Sequence, residues 1–135
     1  MAMEIGYKQL VAEAEAEIKT YSAEEAKAKL GDENVQFIDI RDVRELRREG
    51  KVSGAFHAPR GMLEFWVDPE SPYYNELFGS GKEFVLFCAG GLRSALATHT
   101  VKRMGFENVS HMRGGFDRWV KEIGRVEPGK KPKDR

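Results

Sequence analysis

Cys88 is the only cysteine in a chain of 135 residues, and it is followed by Ala89-Gly90-Gly91-Leu92-Arg93-Ser94. A cysteine thiolate is a strong nucleophile toward sulfur, and it is favoured wherever positive charge or N–H donors surround it. The paired glycines tolerate positive φ, which turns successive amides inward as an anion nest. The five amides from Ala89 to Arg93 are therefore expected to curl around whatever the sulfur carries. Arg93, as the last loop residue, is expected to grip an anionic substrate through its two-pronged guanidinium, helped by the positive end of a helix starting at Ser94. Ala89, Gly90, Gly91, Leu92 and Arg93 are thus the expected substrate-binding residues, and Cys88 the nucleophile. A free cysteine at a strand end is often only a small buried side chain. The glycine pair and the arginine, set between an apolar strand and a helix, weigh toward function.

Other residues are expected to support this loop. Asp39 closes an apolar run, where a carboxylate is costly to bury without partners; with Arg41 and Ser94 it is expected to brace the site without touching substrate. Arg60 is a candidate for positive charge at the pocket mouth, against the alternative of a plain surface arginine. Phe65 and Trp66 are candidates for the pocket rim, against ordinary aromatic packing. His57, His99 and His111 show no ligand spacing with one another or with Cys88, so no metal site is expected. No cofactor is expected either. A single cysteine cannot form an internal disulfide, so any thiol acceptor must come from outside the chain.

The elements that must position these residues alternate between helix-like and strand-like segments, the pattern of an α/β domain with a largely parallel sheet. Phe84 to Cys88 is wholly apolar, as a central strand buried on both faces should be. Val35 to Ile40 reads as a second buried strand, Ala55 to Ala58 as a third stopped by Pro59, Val109 to Met112 as the last, and Thr20-Tyr21 as a short first one. Helices are expected over Ile5 to Ile18, where Leu10, Val11, Ala14 and Ile18 share a face, over Ala23 to Leu30 behind a Ser22/Glu25 capping box, over Asp42 to Arg48, over Ser94 to Met104 with a cap at Gly105-Phe106, and around Phe116 to Ile123 with Trp119 inward. Arg60 to Gly81 is the natural wall or lid.

Size and charge limit the function. The length suits one core; the division expected is a helical extension over residues 1–19, one domain over 20–124 and a mobile tail over 125–135. Basic and acidic side chains number 22 each, so no field draws in nucleic acid, and a small-molecule partner is favoured. No apolar stretch approaches the roughly 20 residues of a membrane helix. A free thiol and a start without a secretory pattern point to the cytoplasm.

The motifs together resemble the rhodaneses, or sulfurtransferases, over about Thr20 to Ile123. They are Asp39 and Arg41 followed by Glu45, Gly54-Ala55 leading to Pro59, the six-residue ring Cys88 to Arg93, and Gly114-Gly115-Phe116 then Trp119. The resemblance implies a rhodanese-like fold, a central, mostly parallel five-stranded sheet flanked by helices. It also implies transfer of a sulfane sulfur from a donor such as thiosulfate, through a Cys88 persulfide, to cyanide, a thiol or a protein acceptor. Two other functions stay open: a non-catalytic interaction module, and a phosphatase or arsenate reductase. Against the latter, only four residues separate Cys88 from Arg93, and Phe87 stands where those phosphatases place histidine. Gly50-Lys51-Val52 departs from the family's usual Gly-His-Ile. The oligomeric state is not legible.

Overall fold

In the computed structural model, residues 2–129 are described. The chain runs α1 (Tyr7–Glu17), β1 (Lys19–Tyr21), α2 (Ala23–Lys27), β2 (Val35–Asp39), α3 (Val43–Glu49), β3 (Lys51–Val52), β4 (Phe56–His57), α4 (Leu63–Val67), β5 (Glu83–Phe87), α5 (Leu92–Arg103), β6 (Val109–Met112), α6 (Gly115–Glu122) and β7 (Val126–Glu127). Single 3₁₀ turns stand at Arg60–Met62 and Glu76–Gly79. Five strands form a parallel sheet in the order β1-β6-β5-β2-β4. This is the expected α/β, rhodanese-like architecture.

The sheet has a helical layer on each face because β5 alternates. Phe84, Leu86 and Cys88 join one buried cluster with Ile38, Ile40, Leu63, Ala97 and Val101. Val85 and Phe87 join the other with Phe37, Met112, Phe116 and Trp119. Period-two alternation thus sends the Cys88 side chain to the α4 and α5 side. The chain leaves β2 toward β4 on one side and later returns to β5 on the other. The crevice between the carboxyl ends of β2 and β5 is therefore the topological switch point, where open α/β sheets bind ligands.

Three sequence expectations are corrected. The third sheet strand, expected over Ala55 to Ala58, is confined to Phe56–His57 beside β2, and Lys51–Val52, assigned to no element from sequence, pairs antiparallel with Val126–Glu127, burying Val52 completely. The tail expected from residue 125 consequently begins as a strand, and it stays close to the domain at Gly129, where an added Cβ would strike the Arg47 carbonyl; residues 130–135 lie outside those described. The α2 helix ends at Lys27 instead of Leu30, passing through turns before Gly31, although the Ser22/Glu25 capping box forms. α1 buries Val11 and Ala14 against Ala95 of α5, while Leu10 stays exposed.

Candidate active site

The loop after β5 is held from both sides. Its start is fixed by the first amides of α6: Phe116 N–H donates to the Cys88 carbonyl at 2.8 Å and Asp117 N–H to the Ala89 carbonyl at 2.9 Å. Its end is fixed by Gly91, which caps α5 at φ +100° and passes so close to Gly114 that a Cβ would lie 3.0 Å from the Gly114 nitrogen. Only Gly91 of the glycine pair uses positive φ.

The sulfur sits on the floor of this loop, with Cys88 1% exposed. Two amides reach it: Gly91 N–H, one of the five expected around the sulfur's cargo, at 3.1 Å, and Ser94 N–H at 3.4 Å. The physical reason is that α5 begins at Leu92, two residues earlier than expected, so the amides at the helix start point along its axis toward Sγ. Ser94, expected only to brace the site, thereby touches the nucleophile, its hydroxyl also lying 3.6 Å from Sγ. Leu92 and Arg93 belong to the first helical turn.

Arg93 does not stand free at the loop mouth. Its guanidinium grips Glu45 through Nη1–Oε2 and Nη2–Oε1 contacts of 2.9 Å. Glu45 also accepts the Asp42 amide as the partner in the α3 capping box. The Arg93 hydrogen bonds lower the Glu45 carboxyl to about 2, against the opposing effect of its burial. Glu45 in turn holds the Arg93 guanidinium still more firmly protonated, and the nearby Cys88 adds to this.

Asp39 and Arg41 form a buried pair beside the loop, with Arg41 Nη2 to Asp39 Oδ2 at 2.8 Å and Nε to Oδ1 at 3.0 Å. Arg41 also donates to the Gly50 carbonyl and lies 4.0 Å above the Phe116 ring. His57 Nε2 reaches the Arg41 carbonyl at 2.6 Å. This cluster ties β2, β4, α3 and α6 together behind the switch point. Arg60 is paired with Glu64 at 2.7 Å. Phe65 is half-exposed against Tyr73, and Trp66 packs on Phe56 beside the core.

Sequence reasoning passed over His111. Its Nδ1 lies 3.0 Å from the Ser94 hydroxyl, giving a chain Cys88-Ser94-His111. Its sequence signal is weak, since Ser110 beside it already makes the four-residue strand half polar; its place shows only across the sheet, where it pairs in register with Leu86. Among the described residues no three His, Cys, Asp or Glu side chains converge as a metal site requires, and no helix is long and apolar enough to cross a membrane.

Residues 22–122 match the Rhodanese-like domain, and the chain belongs to that family. Among its relatives is the tRNA uridine(34) hydroxylase of Brucella ovis, 35% identical over 99 residues, covering 73% of this chain and 31% of that protein. The chain thus spans about a third of the length of the curated relatives it matches. A protein of unknown function from Rhodopseudomonas palustris, described as a possible tyrosine phosphatase, is 46% identical, with a TM-score of 0.90 over 94% of this chain and 98% of that one. The thiosulfate sulfurtransferase of Pseudomonas aeruginosa shares the fold at 23% identity, with a TM-score of 0.70 over 93% of this chain and 23% of its own.

Proposed function

We propose that this domain is a sulfurtransferase that carries sulfur on Cys88, with no cofactor beyond the covalent persulfide. The observation that carries this reading is the pair of amides, from Gly91 and Ser94, aimed at a free sulfur. In the first half-reaction the Cys88 thiolate attacks the outer sulfur of thiosulfate. An S–S bond forms, the bond to the sulfonate sulfur breaks, and sulfite leaves with the electron pair. In the second, cyanide or a thiolate attacks the outer persulfide sulfur, and the Cys88 thiolate leaves. The first step moves the negative charge from Sγ to the outer sulfur and the second returns it to Sγ, where the Gly91 and Ser94 amides stabilise it as it develops.

A compact ring also suits sulfur by size. With only four residues between Cys88 and Arg93, the loop encloses less space for a phosphoryl group than a longer phosphate-cradling loop would. The phosphatase description of the Rhodopseudomonas palustris protein is nonetheless a specific alternative, and the tRNA activity of the Brucella relatives belongs to proteins of which the match covers only 31%. The partners proposed here are a small sulfur donor and a small or protein thiol acceptor in a reducing cytoplasm.

The test is intact mass after thiosulfate, followed by thiocyanate production with cyanide, on the wild type and Cys88→Ser, with p-nitrophenyl phosphate as a parallel substrate. A gain of one sulfur atom and turnover in the wild type only supports the reading. Phosphate release without sulfur uptake would replace it with the phosphatase.

A further inference from the structure

The Cys88 sulfur and its loop leave a thiol proton no direct way out, since Cys88, Ser94 and His111 are all essentially buried. The three side chains nevertheless form a continuous line. Sγ lies 3.6 Å from Ser94 Oγ, and Oγ lies 3.0 Å from His111 Nδ1. At the far end, His111 Nε2 is buried and has no hydrogen-bond partner among the described residues. It lies 3.8 Å from Glu15 Oε2 of α1, on a cleft of about 270 Å³ lined by Glu15, Gly90, Gly91, His111, Arg113 and Gly114. A buried ring nitrogen left without a partner is costly.

We propose that Ser94 and His111 form a proton relay joining the Cys88 sulfur to the cleft beneath α1. Ser94 is the catalytic partner in contact with the sulfur, and His111 is the positioning residue behind it. This rests on the use of Cys88 as a nucleophile. As the thiol ionises, its proton moves to Ser94 Oγ, the Ser94 hydroxyl proton moves to His111 Nδ1, and the Nε2 proton leaves to the half-exposed Glu15 carboxylate. The ring carries one proton before and after, and only its tautomer changes. In the new tautomer Nδ1–H donates to Oγ, which turns the Ser94 hydroxyl toward the thiolate as a third donor beside the two amides.

The surroundings suit a ring that passes a proton instead of keeping it. Burial, followed by the charge of Arg113, lowers the His111 ring to about 4, so an imidazolium does not persist at neutral pH. The charged groups facing the ring are Glu15 from α1 and Arg113 after β6. This gives α1 a role at the site, since it supplies the outer wall of the exit.

The experiment follows the ¹⁵N shifts of the His111 ring and the 240 nm thiolate absorbance through one pH series on the wild type and Ser94→Ala. The expected result is that the ring proton exchanges from Nε2 to Nδ1 in step with the thiolate band, and that Ser94→Ala uncouples the two. Alkylation by iodoacetamide at pH 7 should fall about tenfold in His111→Leu, the scale of one lost hydrogen bond to a charged group, and stay low in His111→Asn, whose amide keeps a polar atom near the Nδ1 position but cannot pass a proton; full recovery in His111→Asn would overturn the relay. A single tautomer throughout, or unchanged coupling in Ser94→Ala, overturns the relay. Tautomer exchange without sulfur uptake from thiosulfate would instead fault sulfur transfer and leave the relay standing.

Discussion

Arg93 and Glu45, 48 positions apart, are locked by two parallel hydrogen bonds of 2.9 Å that join the first turn of α5 to the first turn of α3. The arginine at the active loop is therefore a strut as well as a charge. Arg93→Ala should raise the half-saturating thiosulfate concentration about tenfold, since a charge-assisted contact of this kind is lost. Glu45→Gln should lower that concentration, because it frees the guanidinium for the anion. Steady-state kinetics on both variants checks this, and an unchanged KM in Arg93→Ala would leave the strut as the residue's whole role.

The same pair sets an acid limit. Glu45 is held at about 2, a depressed carboxyl, so its stabilisation is complete above its ordinary value near 4.5 and is lost as pH falls toward 2. Because Arg93 is about two-fifths exposed, solvent screening reduces this to on the order of 1 kcal/mol. Denaturant midpoints between pH 5 and 2 should fall less in Glu45→Gln than in the wild type.

The buried clamp behind the site is expected to be worth more. Asp39 and Arg41 are both fully buried, and removing one partner strands the other charge out of water. Arg41→Met or Asp39→Asn should cost about 3–5 kcal/mol in urea unfolding. A loss below about 1 kcal/mol would mean that the surviving charge finds water.

Much of this was legible in the chain because it is local. The apolar run Phe84 to Phe87 announces the central strand, the Ser22/Glu25 spacing announces a cap, and Cys88 with its glycines announces the site. What escaped depends on contacts distant in sequence. Lys51–Val52 finds Val126–Glu127 only after the chain has folded, and short pairings carry no periodic signal. The Ser94 amide was missed because α5 starts at Leu92, two residues before the expected helix start, and directs Gly91 and Ser94 at the sulfur. His111 was read for metal spacing along the chain, whereas its meaning lies across the sheet, in its register with Leu86 and its contact with Ser94.

His111 should also shape stability in mild acid. Its ring lies at about 4 in the fold against an ordinary 6.5, a depressed base, so the unfolded chain binds the extra proton first. Stability should therefore decline as pH falls from about 6.5 to about 4, by at most roughly 3 kcal/mol. Chemical denaturation across that window should show a flatter profile in His111→Asn. An identical slope in the variant would place the ring's proton affinity at its ordinary value.

Gly115 offers the sharpest test of how the loop is held. At φ +58°, a Cβ at this position would lie 2.3 Å from the Cys88 carbonyl oxygen and 2.7 Å from that of Ala89. These two carbonyls accept the Phe116 and Asp117 amides. The obstruction is backbone, which cannot swing aside as a side chain can, so Gly115→Ala must push the loop off the start of α6. The variant should lose about 2–4 kcal/mol, from the strained φ and the disturbed pair of hydrogen bonds together. It should also take up sulfur from thiosulfate at least about tenfold more slowly, because the Gly91 and Ser94 amides no longer meet the sulfur in place. Urea unfolding and the rate of mass gain separate the two effects, and a variant that is destabilised yet takes up sulfur at the wild-type rate would show that α6 supports the fold without setting the loop.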